Sequence, residues 1–214
     1  RGQMFSVSYN RGLQNQSQFG SSTSSSYSND NSDFESFSFS FREPSINNTP
    51  NSIGCSLSST ERAKSDNSYL KYDIESSRIS LSVGRRFNLS NHLLRGGWTI
   101  SYRQTKYYGD METLLEDFSE NIIVDNGDQS YAARIGISIT QRFSRDTRDY
   151  PDFPTSGTNI SWTTTFSGHG LGGNENYHRN VFDFNWFTSI DNIPKVVLYQ
   201  DFVFGFTEEL GENE

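Results

Sequence analysis

Apolar and polar residues alternate strictly along several stretches of this 214-residue chain. The stretch FSFSF places Phe37, Phe39 and Phe41 on one side of an extended backbone and two serines on the other. The longest run, YAARIGISITQRF, keeps the same period from Tyr131 to Phe143. Period two is the pattern of β-strands that have one apolar and one polar face. The chain is therefore predicted to be all-β.

The alternating runs predict nine strands, whose connections differ in length in a regular way. The predicted strands are residues 3–11, 34–42, 52–60, 76–87, 96–105, 131–143, 158–167, 180–190 and 196–206. A long Ser/Asn-rich segment follows the first strand, and longer loops are expected at 61–75 and 106–130, the latter being the longest. Short links are expected around Pro44 and at 88–95 and 191–195, and the connections 144–157 and near 168–179 are of intermediate length. Long loops at one end of an antiparallel meander and short turns at the other are typical of outer-membrane barrels.

Composition helps to decide whether the apolar faces of the strands pack in a soluble core or face lipid. Hydrophobic residues make up only 32% of the chain although aromatic residues make up 14%, which is little material for a soluble core. The predicted strands are long, and aromatic residues cluster near their ends, as in an interfacial girdle, at Phe87, Tyr107, Tyr108, Phe143, Phe166 and Phe206. These features favour a transmembrane barrel whose apolar face meets lipid. A soluble β-sandwich that serves as a binding module is the alternative.

The polar phase of the strands carries four arginines. In a membrane barrel they are predicted to face the lumen, because a charge on the lipid face would cost roughly 2–4 kcal/mol at the midplane. They would either attract anions or pair with acids on the same face such as Asp183 and Asp201, and we favour pairing. The four are Arg78, Arg103, Arg134 and Arg142.

No set of residues predicts catalysis, a metal or a cofactor. GHGLGG at 168–173 matches G-x-G-x-x-G, but that motif binds a dinucleotide only before a helix, and here another strand pattern follows. The acidic segment 111–128 has leucines at helical spacing, which predicts a short amphipathic helix in the longest loop. A formal net charge of -8 with no basic patch argues against nucleic acid as a partner. We predict that the chain is not an enzyme.

The segment DTRDYPDFPTSGT uses two of the five prolines of the chain between two predicted strands. Pro151 and Pro154 fix φ and remove two backbone donors, and Gly157 permits a positive φ before the next strand. The segment is therefore predicted to be a turn at the short-loop, periplasmic end. Its charged residues Asp146 and Arg148, with Asp149, would pair with each other or face periplasmic partners.

This turn resembles the D-x-R-x-x-x-x-P-T-x-G segment of the BamA family of outer-membrane protein insertases, within the bacterial surface antigen superfamily. The matching residues are Asp146, Arg148 or Asp149, Phe153, Pro154, Thr155 and Gly157. An alternating strand that ends in Glu43-Pro44 is similar to a family strand followed by a short turn. The start RGQMFSVSYN is similar to an early barrel strand, and the helix-containing loop 106–130 stands where the family has one.

The resemblance implies that residues 1–214 are a segment of a sixteen-stranded barrel, roughly its third to eleventh strand, without the POTRA domains. The lateral gate and the Arg-Gly-Phe lumen loop of the family would lie outside this segment. The implied function is folding and insertion of other β-barrel proteins in the outer membrane of a diderm bacterium. The implied partners are the lipid bilayer, client outer-membrane proteins and accessory assembly lipoproteins. The alternatives are a TamA-like or two-partner secretion transporter and a passive porin or surface barrel.

Overall fold

The computed structural model describes residues 2–13, 33–64, 71–89, 92–127, 129–190 and 196–211. Ten strands and one helix make up most of these residues. The strands are β1 (Met4–Leu13), β2 (Asp33–Glu43), β3 (Asn51–Arg62), β4 (Asp73–Leu89), β5 (His92–Tyr108), β6 (Ile123–Asp125), β7 (Ser130–Asp146), β8 (Gly157–Ser167), β9 (Tyr177–Ser189) and β10 (Val197–Glu209). The helix α1 spans Met111–Asp117, and 3₁₀ turns lie at Ile46–Asn48 and Glu120–Ile122.

Each long strand pairs antiparallel with the next long strand along the chain, in the order β1-β2-β3-β4-β5-β7-β8-β9-β10. This meander confirms the nine predicted strands. The tenth, β6, is a three-residue strand inside the predicted loop 106–130, and it pairs with β7 beside the main path. Within the described residues, no helix has the length and apolar character needed to cross a membrane.

The strand register aligns seven serines of the polar phase into one continuous row. Each serine of the row is the direct partner of the next across seven strands: Ser6, Ser40, Ser56, Ser80, Ser101, Ser138 and Ser167. The Oγ atoms of Ser56 and Ser80 are 2.6 Å apart, and those of Ser101 and Ser138 are 2.8 Å apart. Because side chains alternate between faces, this serine row marks one face of the whole sheet as polar.

The opposite face is apolar, and the described residues leave it uncovered. Leu81 is 61% exposed and Phe204 is 64% exposed, although both lie in the middle of paired strands. The buried apolar residues of the described chain are few: Tyr72, Leu114 and Ala132. A continuous apolar surface of this extent needs a non-aqueous neighbour.

Charged residues limit the apolar band at both ends of the strands. On β2 the outward phase runs from Glu35 through three phenylalanines to Glu43, and on β4 it runs from Glu75 to Arg85. The eight residue steps from Glu35 to Glu43, on a strand tilted by about 40°, span a height of about 20 Å. That height is close to the apolar band of about 25 Å that outer-membrane barrels present to lipid.

An aromatic belt crosses the apolar face from β5 to β10. Its successive ring centroids are 6.0, 6.2, 5.9 and 6.5 Å apart in the order Trp98, Phe143, Trp162, Phe182 and Phe204. Aromatic rings of this kind favour the boundary between hydrocarbon and headgroups. The belt includes Phe143 of the predicted girdle.

Tyr107 was predicted for the girdle, and this prediction is wrong. Its direct partners are Ile74 and Ala132, so it lies on the polar side of the sheet. There its ring packs against Tyr72 and Phe118, at centroid distances of 6.1 and 4.9 Å, beneath the predicted helix α1. The loop helix therefore covers the outer end of the polar face with a small apolar core of its own.

Tyr72 fastens α1 to the sheet. Its hydroxyl donates to the backbone oxygen of Thr113 (3.0 Å) and to Oδ2 of Asp117 (2.7 Å). Lys71 Nζ donates to the same carboxylate at 2.9 Å. Burial and the hydrogen bond to Asp117 raise the pKa of Tyr72 to about 12. The neutral phenol is thus the form that holds the helix in place.

We expect alkaline pH to release α1 as a consequence of this raised pKa. Because a free tyrosine ionises near pH 10, the docked form loses stability as pH rises from about 10 through about 12. A spin label at Leu115→Cys, in a Cys55→Ser background of the full-length protein, should become mobile over that range. Tyr72→Phe should be mobile at neutral pH and insensitive to alkaline pH.

Lys71→Gln is the control, because it removes the other titrating partner of Asp117 while Tyr72 stays. It should keep the alkaline transition. Equal label mobility in the original protein and in Tyr72→Phe at every pH would show that the Tyr72 hydroxyl does not hold the helix.

Candidate functional site at the turn between β7 and β8

The turn continues the β7–β8 hairpin beyond the ends of both strands. The backbone N–H of Thr147 donates to the oxygen of Thr158 (2.8 Å), and the N–H of Thr158 donates to Thr147 Oγ1 (2.9 Å). One step further, the N–H of Asp149 donates to the oxygen of Ser156 at 3.2 Å. The predicted turn is therefore an ordered extension of the hairpin.

Asp149 closes the turn with its carboxylate. Oδ1 accepts from the backbone N–H groups of Tyr150 (2.9 Å), Thr155 (2.9 Å) and Ser156 (3.2 Å), and Oδ2 accepts from Thr155 Oγ1 at 2.5 Å. The hydroxyl of Thr155 and these amides favour the charged form and lower the pKa of Asp149 well below its usual range. The aspartate and the threonine of the motif thus form one hydrogen-bonded clamp.

Asp146 and Arg148 form a second, separate unit. Nε of Arg148 donates to Oδ1 of Asp146 (2.9 Å) and Nη2 donates to Oδ2 (2.8 Å), which is a two-pronged ion pair. Nη1 of Arg148 also donates to the oxygen of Pro151 at 3.2 Å. The hydrogen bonds to Asp146 raise the pKa of Arg148. These charges were predicted either to pair with each other or to face periplasmic partners, and in the structure Asp146 and Arg148 pair with each other.

Gly157 allows the chain to enter β8 from this turn. Its φ is +104°, and a Cβ atom there would lie 2.8 Å from Cα of Arg148 and closer still to the oxygen of Thr147. Pro154, three residues earlier, is half-buried. Two aromatic side chains of the turn are largely exposed: Tyr150 is 66% exposed and Phe153 is 85% exposed. Sequence reasoning matched Phe153 to the family motif but did not predict this exposure.

The second predicted turn lies at the same end of the sheet. Glu43 is the last residue of β2, and Pro44 begins the link to the 3₁₀ turn Ile46–Asn48. The N–H and the hydroxyl of Thr49 both donate to the oxygen of Ile46, at 2.8 and 2.6 Å. This short link is therefore also ordered by its own hydrogen bonds.

All four predicted lumenal arginines lie on the serine face, but only one pairs with a carboxylate within the described residues. Nη2 of Arg103 is 2.7 Å from Oε2 of Glu175. Arg78 donates to Ser101 at 3.5 Å and Arg142 donates to Ser161 at 3.4 Å. Arg134 lies over the rings of Phe118 and Tyr107, 5.3 and 5.9 Å from their centroids.

The predicted pairing of these arginines with Asp183 and Asp201 is wrong for the described part of the chain. Asp183 instead accepts from Asn185 Nδ2 at 2.5 Å. The acid that reaches an arginine, Glu175, comes from the loop between β8 and β9. Asn174 holds that loop beside β7, because its side chain accepts from the N–H of Ile135 (2.7 Å).

A basic cavity on the serine face was missed by sequence reasoning. It has a volume of about 870 Å³ and lies toward the short turns. We call it the arginine basin and define it by four arginines, Arg42, Arg86, Arg95 and Arg142, around a floor of Gly54, Ser82, Gly84, Gly97 and Thr99. Arg86 lies on the polar face of β4 because period two continues from Ser82 through Gly84 to Arg86. This continuation is hard to recognise in the sequence, because glycine has no side chain that marks the polar face.

The glycine-rich segment at 168–173 forms the loop before β9 rather than a helix start. Gly168, Gly170, Gly172 and Gly173 all have positive φ. Among the described residues, no group of three or more His, Cys, Asp or Glu side chains is arranged to hold a metal ion.

Comparisons with known proteins place this fold in a family. The model of the Omp85 superfamily domain matches residues 1–214. The crystal structure of BamA from Haemophilus ducreyi lacking POTRA domains 1–3 is similar at a TM-score of 0.59 and 15% identity. The match covers 86% of this chain and 36% of that one, so this chain spans about a third of its length. No curated protein sequence matches the chain.

The similarity confirms the predicted resemblance and identifies the meander as a segment of an antiparallel transmembrane β-barrel. The position of these strands within a sixteen-stranded barrel stays a prediction. The match to the family model extends over the whole sequence, from the first predicted strand to the last. The chain belongs to the Omp85 superfamily of outer-membrane proteins.

Proposed function

We propose that the protein to which this barrel segment belongs folds and inserts other β-barrel proteins into the outer membrane of a diderm bacterium. The observation that carries the proposal is the Omp85 superfamily match over residues 1–214, supported by the similarity of the fold to BamA. The activity makes and breaks no covalent bond, so it needs no catalytic side chain. We propose that the protein is not an enzyme.

The physical task of such a protein is to lower the cost of bringing an unpaired strand into hydrocarbon. Each unsatisfied backbone N–H or C=O in lipid costs several kcal/mol, and pairing with an existing strand edge removes that cost. The described sheet supports this role because its position along the bilayer normal would be fixed. Charged residues limit its apolar band at both ends, and the aromatic belt crosses that band. The proposed partners are the lipid bilayer, client outer-membrane proteins and accessory assembly lipoproteins.

Depletion of the full-length protein tests the proposal. We expect the outer-membrane amounts of several unrelated barrel proteins to fall together, because each depends on the same insertion step. Quantitative proteomics of purified outer membranes measures this, with inner-membrane proteins of the same cells as the control. Affinity purification from detergent-solubilised membranes should recover the accessory lipoproteins.

Other outcomes distinguish the alternatives. Unchanged amounts of the other barrel proteins in the outer membrane after depletion would contradict the proposal. Loss of one client alone would favour a TamA-like or two-partner secretion transporter. A large, steady conductance in planar bilayers that client peptides do not alter, together with unchanged barrel amounts, would favour a porin.

A further inference from the structure

The four arginines of the arginine basin surround a floor of small residues. Strand register places Arg42 opposite Gly54, which in turn pairs with Ser82. Arg86 and Arg95 are direct partners on β4 and β5. Across the floor, Arg142 is the direct partner of Gly97. Long cationic side chains thus border a strip of the sheet that carries only glycines and small hydroxyl side chains.

Glycines and small hydroxyl side chains form the floor, and serine hydroxyl groups lie directly over two of the glycines. A Cβ atom on Gly84 would lie 2.7 Å from Oγ of Ser52, and one on Gly54 would lie 2.9 Å from Oγ of Ser82. Hydroxyl groups of Ser82 and Thr99 line the same strip. The result is a polar recess with room for a further chain and with donors along its floor.

No carboxylate neutralises the basin within the described part of the chain. None of the residues that line the cavity is an aspartate or a glutamate. None of the four arginines forms a salt bridge, and all four are exposed. Asp146 lies on the same face near Arg95, but both of its carboxylate oxygens already accept hydrogen bonds from the guanidinium group of Arg148. Four like charges in one recess produce a strong positive potential.

We propose that the arginine basin binds an acidic segment of polypeptide in extended form. Guanidinium groups match carboxylates with two parallel hydrogen bonds. Arg42 and Arg142 are four strand steps apart, which is about 19 Å along the wall at about 4.8 Å a step. That span exceeds a single phosphate or carboxylate group but suits several acids along an extended chain. The site is a property of the barrel wall and does not depend on the proposed insertase activity.

The test uses the full-length protein in detergent micelles and a fluorescein-labelled hexaglutamate peptide. We expect the peptide to bind by fluorescence anisotropy, and to bind less tightly as salt increases. The double variant Arg86→Gln/Arg95→Gln should weaken binding by about tenfold or more, because it removes two of the four charge-assisted partners. The single variant Arg142→Gln should weaken it by a smaller factor.

Arg145→Gln is the matched control, because Arg145 lies on the same strand as Arg142 but on the apolar face. It should leave peptide binding unchanged. Heat-modifiable migration in electrophoresis should show that every variant is folded. Equal binding by the original protein and the folded double variant would overturn the proposal. So would tighter binding of inorganic tripolyphosphate than of hexaglutamate at equal charge, which would assign the basin to phosphate.

Discussion

Replacing Gly157 with alanine is expected to destabilise the barrel by about 3 kcal/mol or more, because backbone strain and overpacking each cost about 1–3 kcal/mol. The φ of +104° is strained for any residue with a Cβ atom, and that atom would collide with the backbone of Thr147 and Arg148. The hydrogen bonds between Thr147 and Thr158 hold the two sides of the collision close together. Urea unfolding of the full-length protein in lipid vesicles, followed by tryptophan fluorescence, measures the change.

Gly127→Ala separates the two causes. Gly127 also has a positive φ, +80°, but nothing lies within 4 Å of a Cβ atom placed there. That variant should therefore cost only the backbone strain, about 1 kcal/mol. Equal losses for the two variants would mean that the backbone collision at Gly157 is relieved by movement of the turn.

Replacing Leu81 with arginine is expected to destabilise the inserted barrel by about 2–4 kcal/mol, which is the cost of a lipid-facing arginine near the bilayer midplane. Leu81 is 61% exposed on the apolar face, and its direct partners there are Cys55 and Ile100. The loss should appear in vesicles and shrink in short-chain detergent micelles, where water reaches the side chain.

Ser80→Arg is the matched control, one residue away on the opposite face. It gives up one hydroxyl contact with Ser56 and places its charge on the polar side of the sheet. Its effect should stay below about 1 kcal/mol, the worth of one hydrogen bond. A larger loss for Ser80→Arg than for Leu81→Arg would reverse the assignment of the two faces.

The strands were predictable because one repeating signal, period two, spans their full length. The predicted 158–167 and the observed Gly157–Ser167 differ by one residue. β4 and β5 reach further than predicted, to 17 residues each. β5 extends past both ends of the predicted strand 96–105, where the consecutive apolar pairs Leu93-Leu94 and Tyr107-Tyr108 interrupt the alternation. Hydropathy alternation alone therefore underestimates the length of strands whose ends depart from period two.

The turn motif predicted which residues matter but not what each one contacts. Asp146, Arg148 and Asp149 lie within four residues of one another in the sequence, yet only the first two pair, while Asp149 binds Thr155. Pairing depends on how the hairpin continues through Thr147 and Thr158, which no local pattern specifies. The acid partner of Arg103 could not be predicted either, because Glu175 reaches it only through the folding of a loop.

The serine row has a geometric consequence for the lumen. Strands in such barrels tilt by about 40° from the barrel axis, so a row perpendicular to them climbs around the wall as a spiral ramp. Six steps of about 4.8 Å raise this ramp by roughly 18 Å, most of the apolar band. Its side chains are the smallest that carry a hydroxyl. The row therefore places hydroxyl groups at successive heights on the polar face, across most of the height of the apolar band on the other face.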